Sequence, residues 1–311
     1  MVGRLGTEAL AATGMGSMMF WGALSLAIGI RTAVQTVTAR RLGQGLHKES
    51  GMALRNGLAL ATLYSLPTSF FVWKYSDSLA RFFIEDPSAT PLTTDYVSIV
   101  FTGLLFSSYS FVFQGFFTGI EKTKIHMKVT VVSNVLNVYL NAGLIYGSSG
   151  VQEFFNEQLS ILSFLSYLWT WANFPALGVK GAAIGTLISS FWMTAHYAVS
   201  LLSKQTSKRY SVLRFSFDRE MMKRQVQLAL PQGLQESVIA LGWGVFYKIV
   251  GIIGLVELAT TELLFTIMHA SFMPAMGVGQ ACSTLVSKYM GQGRIKTVSY
   301  THLRAHETCT N

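Results

Sequence analysis

The chain has 311 residues, half of them hydrophobic and only 13% charged, which is about half the charged fraction of a soluble domain. That composition excludes disorder. With two cysteines, Cys282 and Cys309, it also excludes a disulfide scaffold and a Cys/His metal centre. A surplus of 24 Lys and Arg over 15 Asp and Glu would suggest nucleic acid in a soluble protein. In an apolar chain it places basic loops on the cytoplasmic face of a membrane, so no nucleic-acid partner is expected.

Seven stretches are long and apolar enough to cross about 30 Å of hydrocarbon as helices: Leu10–Val37, Leu54–Trp73, Tyr96–Phe117, Met127–Tyr146, Ala182–Leu202, Ala229–Ile253 and Leu263–Val286. The opening MVGRLGTEALAATG has no cleavage-site pattern, so no signal peptide is expected. Cations concentrate in alternate loops: Arg40, Arg41, Lys48 and Arg55 after the first span, and Lys122, Lys124 and Lys128 after the third. The run from Lys204 to Arg224 follows the fifth, and Lys288, Arg294 and Lys296 follow the seventh. The positive-inside rule therefore puts residue 1 outside and Arg40–Arg55 in the cytoplasm. Phe154–Phe174 is almost long enough for an eighth span. Crossing there would destroy the alternation, so its aromatic residues read as an external helix lying in the interface. Pro67 and Pro274 fall inside spans and are expected to kink them.

Sliding the chain on itself by 248 residues reveals an internal repeat. Eleven residues recur without a gap, among them Gly6 as Gly254, Ala27 as Ala275, Thr36 as Thr284, and Gly43-Gln44-Gly45 as Gly291-Gln292-Gly293. Six spans separate the copies, and an even number makes them parallel. If the unit is six helices, a span is expected before residue 1 and about four more in place of Ser299–Asn311. That tail loses all apolar periodicity and reads as non-native.

Several motifs occur in an order that resembles the multidrug and toxic compound extrusion family. They are LGTEALAATG, RRLGQG at Arg40–Gly45, GFFTGIEKTK at Gly115–Lys124, NVLNVYLNAGLIYG at Asn134–Gly147, LGVKGAAIGTLIS at Leu177–Ser189, LALPQGLQ at Leu228–Gln235 and the second MGQG at Met290–Gly293. The resemblance implies an all-α polytopic membrane protein with two lobes from a parallel six-helix repeat, twelve helices when complete and seven present here. By that comparison residues 1–203 are the N lobe without its first helix, 204–224 the cytoplasmic linker and 225–298 the start of the C lobe. The stretch of about 148–176 is longer than the family's usual connection.

The resemblance further implies an antiporter of organic, often cationic, compounds in the bacterial plasma (inner) membrane. It would be monomeric and surrounded by lipid, and it would need no cofactor beyond a coupling sodium ion or proton. Acids inside a membrane are costly and default to functional candidates. Glu236 on the sixth span is a candidate to alternate between protonated and ion-bound states, and Glu262 opens the seventh. Asn137 and Asn141 share a helix face, and with Thr186 they match positions that line a cation site in some members of the family. There the second is Asp, so the site here keeps carbonyl oxygens but loses a titratable group. Arg31 lies too deep in the first span to snorkel easily and is expected to face a cavity or an acid such as Glu236. Gln35 and Gln280 are candidates for polar lining. No catalytic residue and no metal site is expected, and isolated His196 and His269 argue against an enzyme. The alternatives are a flippase of lipid-linked oligosaccharides and a non-functional gene fragment.

Overall fold

A computed structural model describes residues 2–83, 87–158, 160–214, 216–253 and 255–298, and among these it contains helices and no strand. In chain order they are α1 (Thr7–Gly43), α2 (His47–Lys74), α3 (Ser76–Phe83), α4 (Ala89–Thr102), α5 (Leu104–Gly119) and α6 (Thr123–Gln158). Then follow α7 (Tyr167–Thr170), α8 (Val179–Leu201), α9 (Lys204–Tyr210), α10 (Arg219–Ile253) and α11 (Leu255–Gly291). Short 3-10 turns cover Val2–Leu5 and Ser160–Ser166. Ser299–Asn311 lies outside the described residues.

Among the described residues, two helices are each long and apolar enough alone to cross a membrane, Thr7–Gly43 and Thr123–Glu157. The pair α4 and α5, bent by 45° at Gly103, makes a third. Seven such segments are expected from the sequence. The remaining long helices, α2, α8, α10 and α11, have 28, 23, 35 and 37 residues. Ser, Thr, Gly and charged ends dilute their apolar runs, so length rather than hydropathy carries them. Along α10, Val238, Leu241, Val245, Ile249 and Ile252 are exposed at helical spacing, and along α6 Met127, Val131, Val135 and Val138. Water does not tolerate such stripes on helices of this length, and lipid does; the chain is an integral membrane protein.

The residues form two compact units, each gathered from separate parts of the chain. The first comprises Met1–Leu24, Ala61–Ser110 and Met127–Val199. Its core packs Tyr96, Val100, Ile145 and Val179 around Ala9, Ala182 and Ala183. The second comprises Ser25–Leu60, Phe111–His126 and Ser200–Asn311, with Val34, Leu54, Val112, Phe116 and Phe117 fully buried.

The repeat is visible in the helices themselves. α1 and α11 each have 37 residues, and their ends coincide after a shift of 248. Both close with one cap. Leu46 N–H donates to the Arg41 carbonyl at 2.9 Å and Gly45 N–H to Leu42 at 3.0 Å; Arg294 donates to Tyr289 at 3.0 Å and Gly293 to Met290 at 3.1 Å. Gly45 and Gly293 sit at φ of 77° and 73°, left-handed values that glycine reaches without a Cβ penalty. Gly43 and Gly291 do something else. A Cβ on Gly43 would overlap the Lys288 carbonyl oxygen, and a Cβ on Gly291 would overlap that of Arg40. Since Arg40 and Lys288 are themselves repeat equivalents, the two copies cross reciprocally at matching positions.

α2 and α11 each continue on both sides of their proline, Pro67 and Pro274. The backbone breaks at Gly147 inside α6, at φ 73° and ψ 168°, a conformation essentially confined to glycine. Phe154–Phe174 is not one helix. It divides into the end of α6, the 3-10 turn and the four-residue α7, none long enough to cross a bilayer. Ser166 Oγ donates to the Ser163 carbonyl at 2.6 Å, a side-chain bond that competes with helix continuation. The segment folds onto the first half of α6, where Trp169 Nε1 donates to the Tyr139 carbonyl at 2.8 Å and Tyr139 Oη to the Leu168 carbonyl at 2.7 Å.

The linker is docked rather than loose. Arg55 donates to the Ser211 carbonyl at 2.6 Å and to Ser216 Oγ at 2.9 Å, and Gln225 Nε2 donates to the Ala53 carbonyl at 2.8 Å. Tyr210 is 2% exposed and packs edge-on against His47 and Phe116. Partial burial first, and then the charge of Arg209, hold the His47 pKa below its ordinary 6.5. The unfolded chain then binds the proton more readily, so stability rises with pH between the lowered pKa and 6.5 and falls on acidification. Thermal unfolding followed from about pH 7.5 to pH 5.5 should lose more stability in the parent than in His47→Gln; equal losses would remove His47 from the docking.

Candidate functional site

The residues singled out by the sequence fall into two clusters, one in each unit. In the first unit, Asn137 and Asn141 stand one turn apart on α6, and Asn141 Nδ2 donates to Asn137 Oδ1 at 3.0 Å. The other amide atom, Asn141 Oδ1, is buried without a hydrogen-bond partner. It packs directly on Gly185 of α8, where any side chain would displace it. Thr186 is the neighbour of that glycine, but its hydroxyl donates to the Ala182 carbonyl of its own helix at 2.9 Å. The arrangement therefore offers a cation one orphaned carbonyl oxygen, with backbone-bonded Thr186 beside it. Hard cations take oxygen ligands, and an unpartnered buried acceptor costs free energy until something meets it. Among the described residues no group of three His, Cys, Asp or Glu is placed to hold a metal ion.

In the second unit, Arg31, Gln35, Glu236 and Gln280 lie on α1, α10 and α11. Gln35 is 4% exposed. Its Nε2 donates to Thr284 Oγ1 at 2.8 Å and to the Gln280 carbonyl at 3.1 Å. Thr284 in turn donates to that same carbonyl at 3.1 Å. Gln280 thus contributes its backbone to the contact, and Gln35 clamps α1 to α11 rather than lining open space. One turn nearer the start of α1, the Arg31 guanidinium lies 6.0 Å from the Phe111 ring centroid, and its Nε is buried without a partner. Glu236 attracts it electrostatically, yet among the described residues no ion pair joins the two. Glu236 Oε1 instead accepts from Gln232 Nε2 at 3.2 Å.

Glu236 sits deeper in its helix than the sequence suggests. α10 starts at Arg219, capped by Asp218 Oδ1, which accepts the Met221 N–H at 3.1 Å. Glu236 is therefore about 25 Å along the helix at ~1.5 Å per residue. Glu262 lies on α11, and its side chain is outside the described residues.

Other participants carry no clear sequence signal. The Ser25 and Ser237 hydroxyls lie 2.6 Å apart, joining α1 to α10. Gly29 and Gly233 bring those helices into contact; a Cβ on Gly29 would overlap the Ala229 carbonyl, and one on Gly233 would meet Leu26 Cα at 3.0 Å. Gln114 Nε2 lies 3.0 Å from His126 Nε2. Thr284 was signalled through its repeat partner Thr36, and Gln114 as a polar residue within a span.

Comparison with known proteins follows this architecture. The family model MatE matches residues 1–142. The chain is 24% identical over 302 residues to a probable multidrug resistance protein NorM of Agrobacterium fabrum, covering 96% of this chain and 59% of that protein. It is 23% identical over 296 residues to a probable NorM of Thermotoga maritima, covering 94% and 58%. The chain thus spans under three fifths of the length of these relatives. Among solved structures, one of MATE in complex with MaL6 is similar with a TM-score of 0.82 and 22% identity, over 99% of this chain and 63% of that one. An outward-facing multidrug resistance MATE family transporter of the MOP superfamily gives a TM-score of 0.80 and 22% identity, over 99% and 62%. At such identities the structural likeness establishes the fold, and the sequence is similar to the MatE family over residues 1–142 and to multidrug resistance proteins over nearly the whole of this chain.

Proposed function

We propose that this chain supplies the N lobe (residues 1–203), the linker (204–224) and the first part of the C lobe (225–298) of a secondary active exporter of organic compounds. Export is driven by entry of sodium ions or protons through alternating access, in a monomer held in a bacterial inner membrane. The observation that carries this reading is the reciprocal crossing of the repeat-related helices α1 and α11. It joins the two repeat copies at the end that the basic loops assign to the cytoplasm, where alternating access needs a contact that closes and opens. The relatives named multidrug resistance proteins support the same reading.

Asn141 Oδ1 with Asn137 and Thr186 is the proposed cation-contacting group of one unit, and Glu236 the titratable group of the other. Arg31 and Phe111 present a cation and an aromatic face to the organic substrate. No cofactor takes part. A flippase of lipid-linked sugars would need several cations deep in the helices; in the second unit Arg31 alone is so placed among the described residues.

The test is accumulation of a fluorescent cationic dye in bacteria stripped of their own exporters. Cells expressing the protein should hold severalfold less dye than empty-vector cells, and the difference should vanish when an ionophore collapses the ion gradients. Equal accumulation in both, with the protein shown to be in the membrane, overturns the proposal.

A further inference from the structure

The turn between α5 and α6 contains an anomaly. It closes α5 with the same hydrogen-bond pattern as the caps of α1 and α11. Lys122 N–H donates to the Phe117 carbonyl at 2.9 Å and Glu121 N–H to Thr118 at 3.0 Å. The left-handed position of the other two caps is Gly45 and Gly293; here it is Glu121, at φ 62°. A non-glycine residue at that φ carries a backbone cost that glycine avoids, and Asn or Asp is the usual substitute. The local fold gains nothing from a glutamate there.

Its side chain explains the choice. Both Glu121 carboxylate oxygens accept from Lys288 Nζ at 2.7 Å. Lys288 is the repeat equivalent of Arg40, and its carbonyl is the group against which Gly43 packs. One residue of α11 therefore meets α1 through its backbone and the α5–α6 turn through its side chain. The contact is asymmetric where the glycine crossing is symmetric. Arg41, on the other copy, pairs with Glu49 at 3.1 Å just beyond its own helix end, so that ion pair ties nothing across the repeat.

We propose that Glu121 and Lys288 form a latch that holds the α1–α11 crossing shut on the cytoplasmic side and must open for the inward-facing state. The inference rests on the exporter reading for its direction and on the geometry alone for the contact. The pair is partly exposed, with side chains 39% and 26% accessible. An ion pair of that kind biases an equilibrium about fivefold rather than locking it, which suits a contact that must break in every cycle. The turn itself stays rigid, because its cap does not depend on the carboxylate.

Ser287, 8% exposed, reports the state of the crossing. In a Cys282→Ser, Cys309→Ser background, Ser287→Cys is labelled with a membrane-impermeant maleimide in inside-out vesicles. Glu121→Gly removes the latch and the backbone cost together. It should leave thermal stability unchanged or raised while labelling accelerates about fivefold, a combination that a merely structural role does not give. Lys288→Gln should accelerate labelling similarly, and the exchanged pair Glu121→Lys with Lys288→Glu should return it to the parent rate. Labelling within twofold of the parent in both single variants, or an exchanged pair that stays fast, overturns the latch. Should the labelling pattern hold while the parent fails to lower dye accumulation, the exporter reading falls and the latch remains.

Discussion

Gly43→Val and Gly291→Val should each destabilise the protein by about 3 kcal/mol, the upper end of the usual cost of overpacking. The obstacle in both cases is a backbone carbonyl, Lys288 for Gly43 and Arg40 for Gly291, which has no rotamer to turn aside. Beyond the overlapping oxygen, the Lys288 carbonyl carbon lies 2.9 Å from a Cβ on Gly43, and the Arg40 carbonyl carbon 3.1 Å from one on Gly291. The helices can only separate, and separation also stretches the Gln35 bonds to Thr284 and Gln280. Once one valine has parted them, the second finds room, so the double variant should lose much less than the sum of the singles. Gly277→Ala is the control. It lies on the same helix as Gly291, and nothing stands within 4 Å of its added Cβ, so only the helix preference of alanine acts, worth up to ~1 kcal/mol in its favour. Thermal unfolding of the detergent-solubilised variants checks this. Single variants as stable as Gly277→Ala, or strictly additive losses, would contradict a reciprocal crossing.

The repeat was legible because the same residues do the same local work twice. Gly45 and Gly293 must be glycine to reach a left-handed φ, and Gly43 and Gly291 must be glycine to admit a carbonyl, so identity survives where the surrounding lipid-facing residues are free to differ. The Asn137–Asn141 pair was legible for a similar reason, since a spacing of four fixes the face of a helix whatever surrounds it. The 45° bend at Gly103 and the break at Gly147 were not. Proline announces a candidate kink by its chemistry, while glycine signals only permission. The linker misled in another way. Its cations signalled topology and not docking, and what docks it, Arg55 with His47 and Phe116, comes from elements distant in sequence. The role of Gln35 was hidden likewise. A lone glutamine in an apolar run gives no sign that its partner is Thr284, a full repeat away. Glu121 could have been suspected, because it occupies the place of the glycine in two otherwise similar helix ends, but the comparison requires knowing where the third helix stops.

Glu236→Gln should reduce ion-driven export at least tenfold while leaving the fold intact. Glutamine has the shape of glutamate and can keep the contact with Gln232, now 3.2 Å long, so packing along α10 is preserved. What disappears is a negative charge on a membrane helix, a costly feature, and with it the group proposed to exchange a proton or sodium ion. Arg31 then loses its electrostatic counterweight; on the proposed function a cationic substrate also loses an attraction, and the coupling ion a ligand. The direct measurement uses the protein reconstituted into sealed proteoliposomes, with dye movement followed after an imposed sodium or proton gradient. The account predicts dye moving against its own gradient in the parent and failing to do so in Glu236→Gln, with thermal stability within about 1 kcal/mol of the parent. Full ion-coupled movement in Glu236→Gln would contradict the assignment of Glu236, and no movement in the parent under either gradient would contradict export itself.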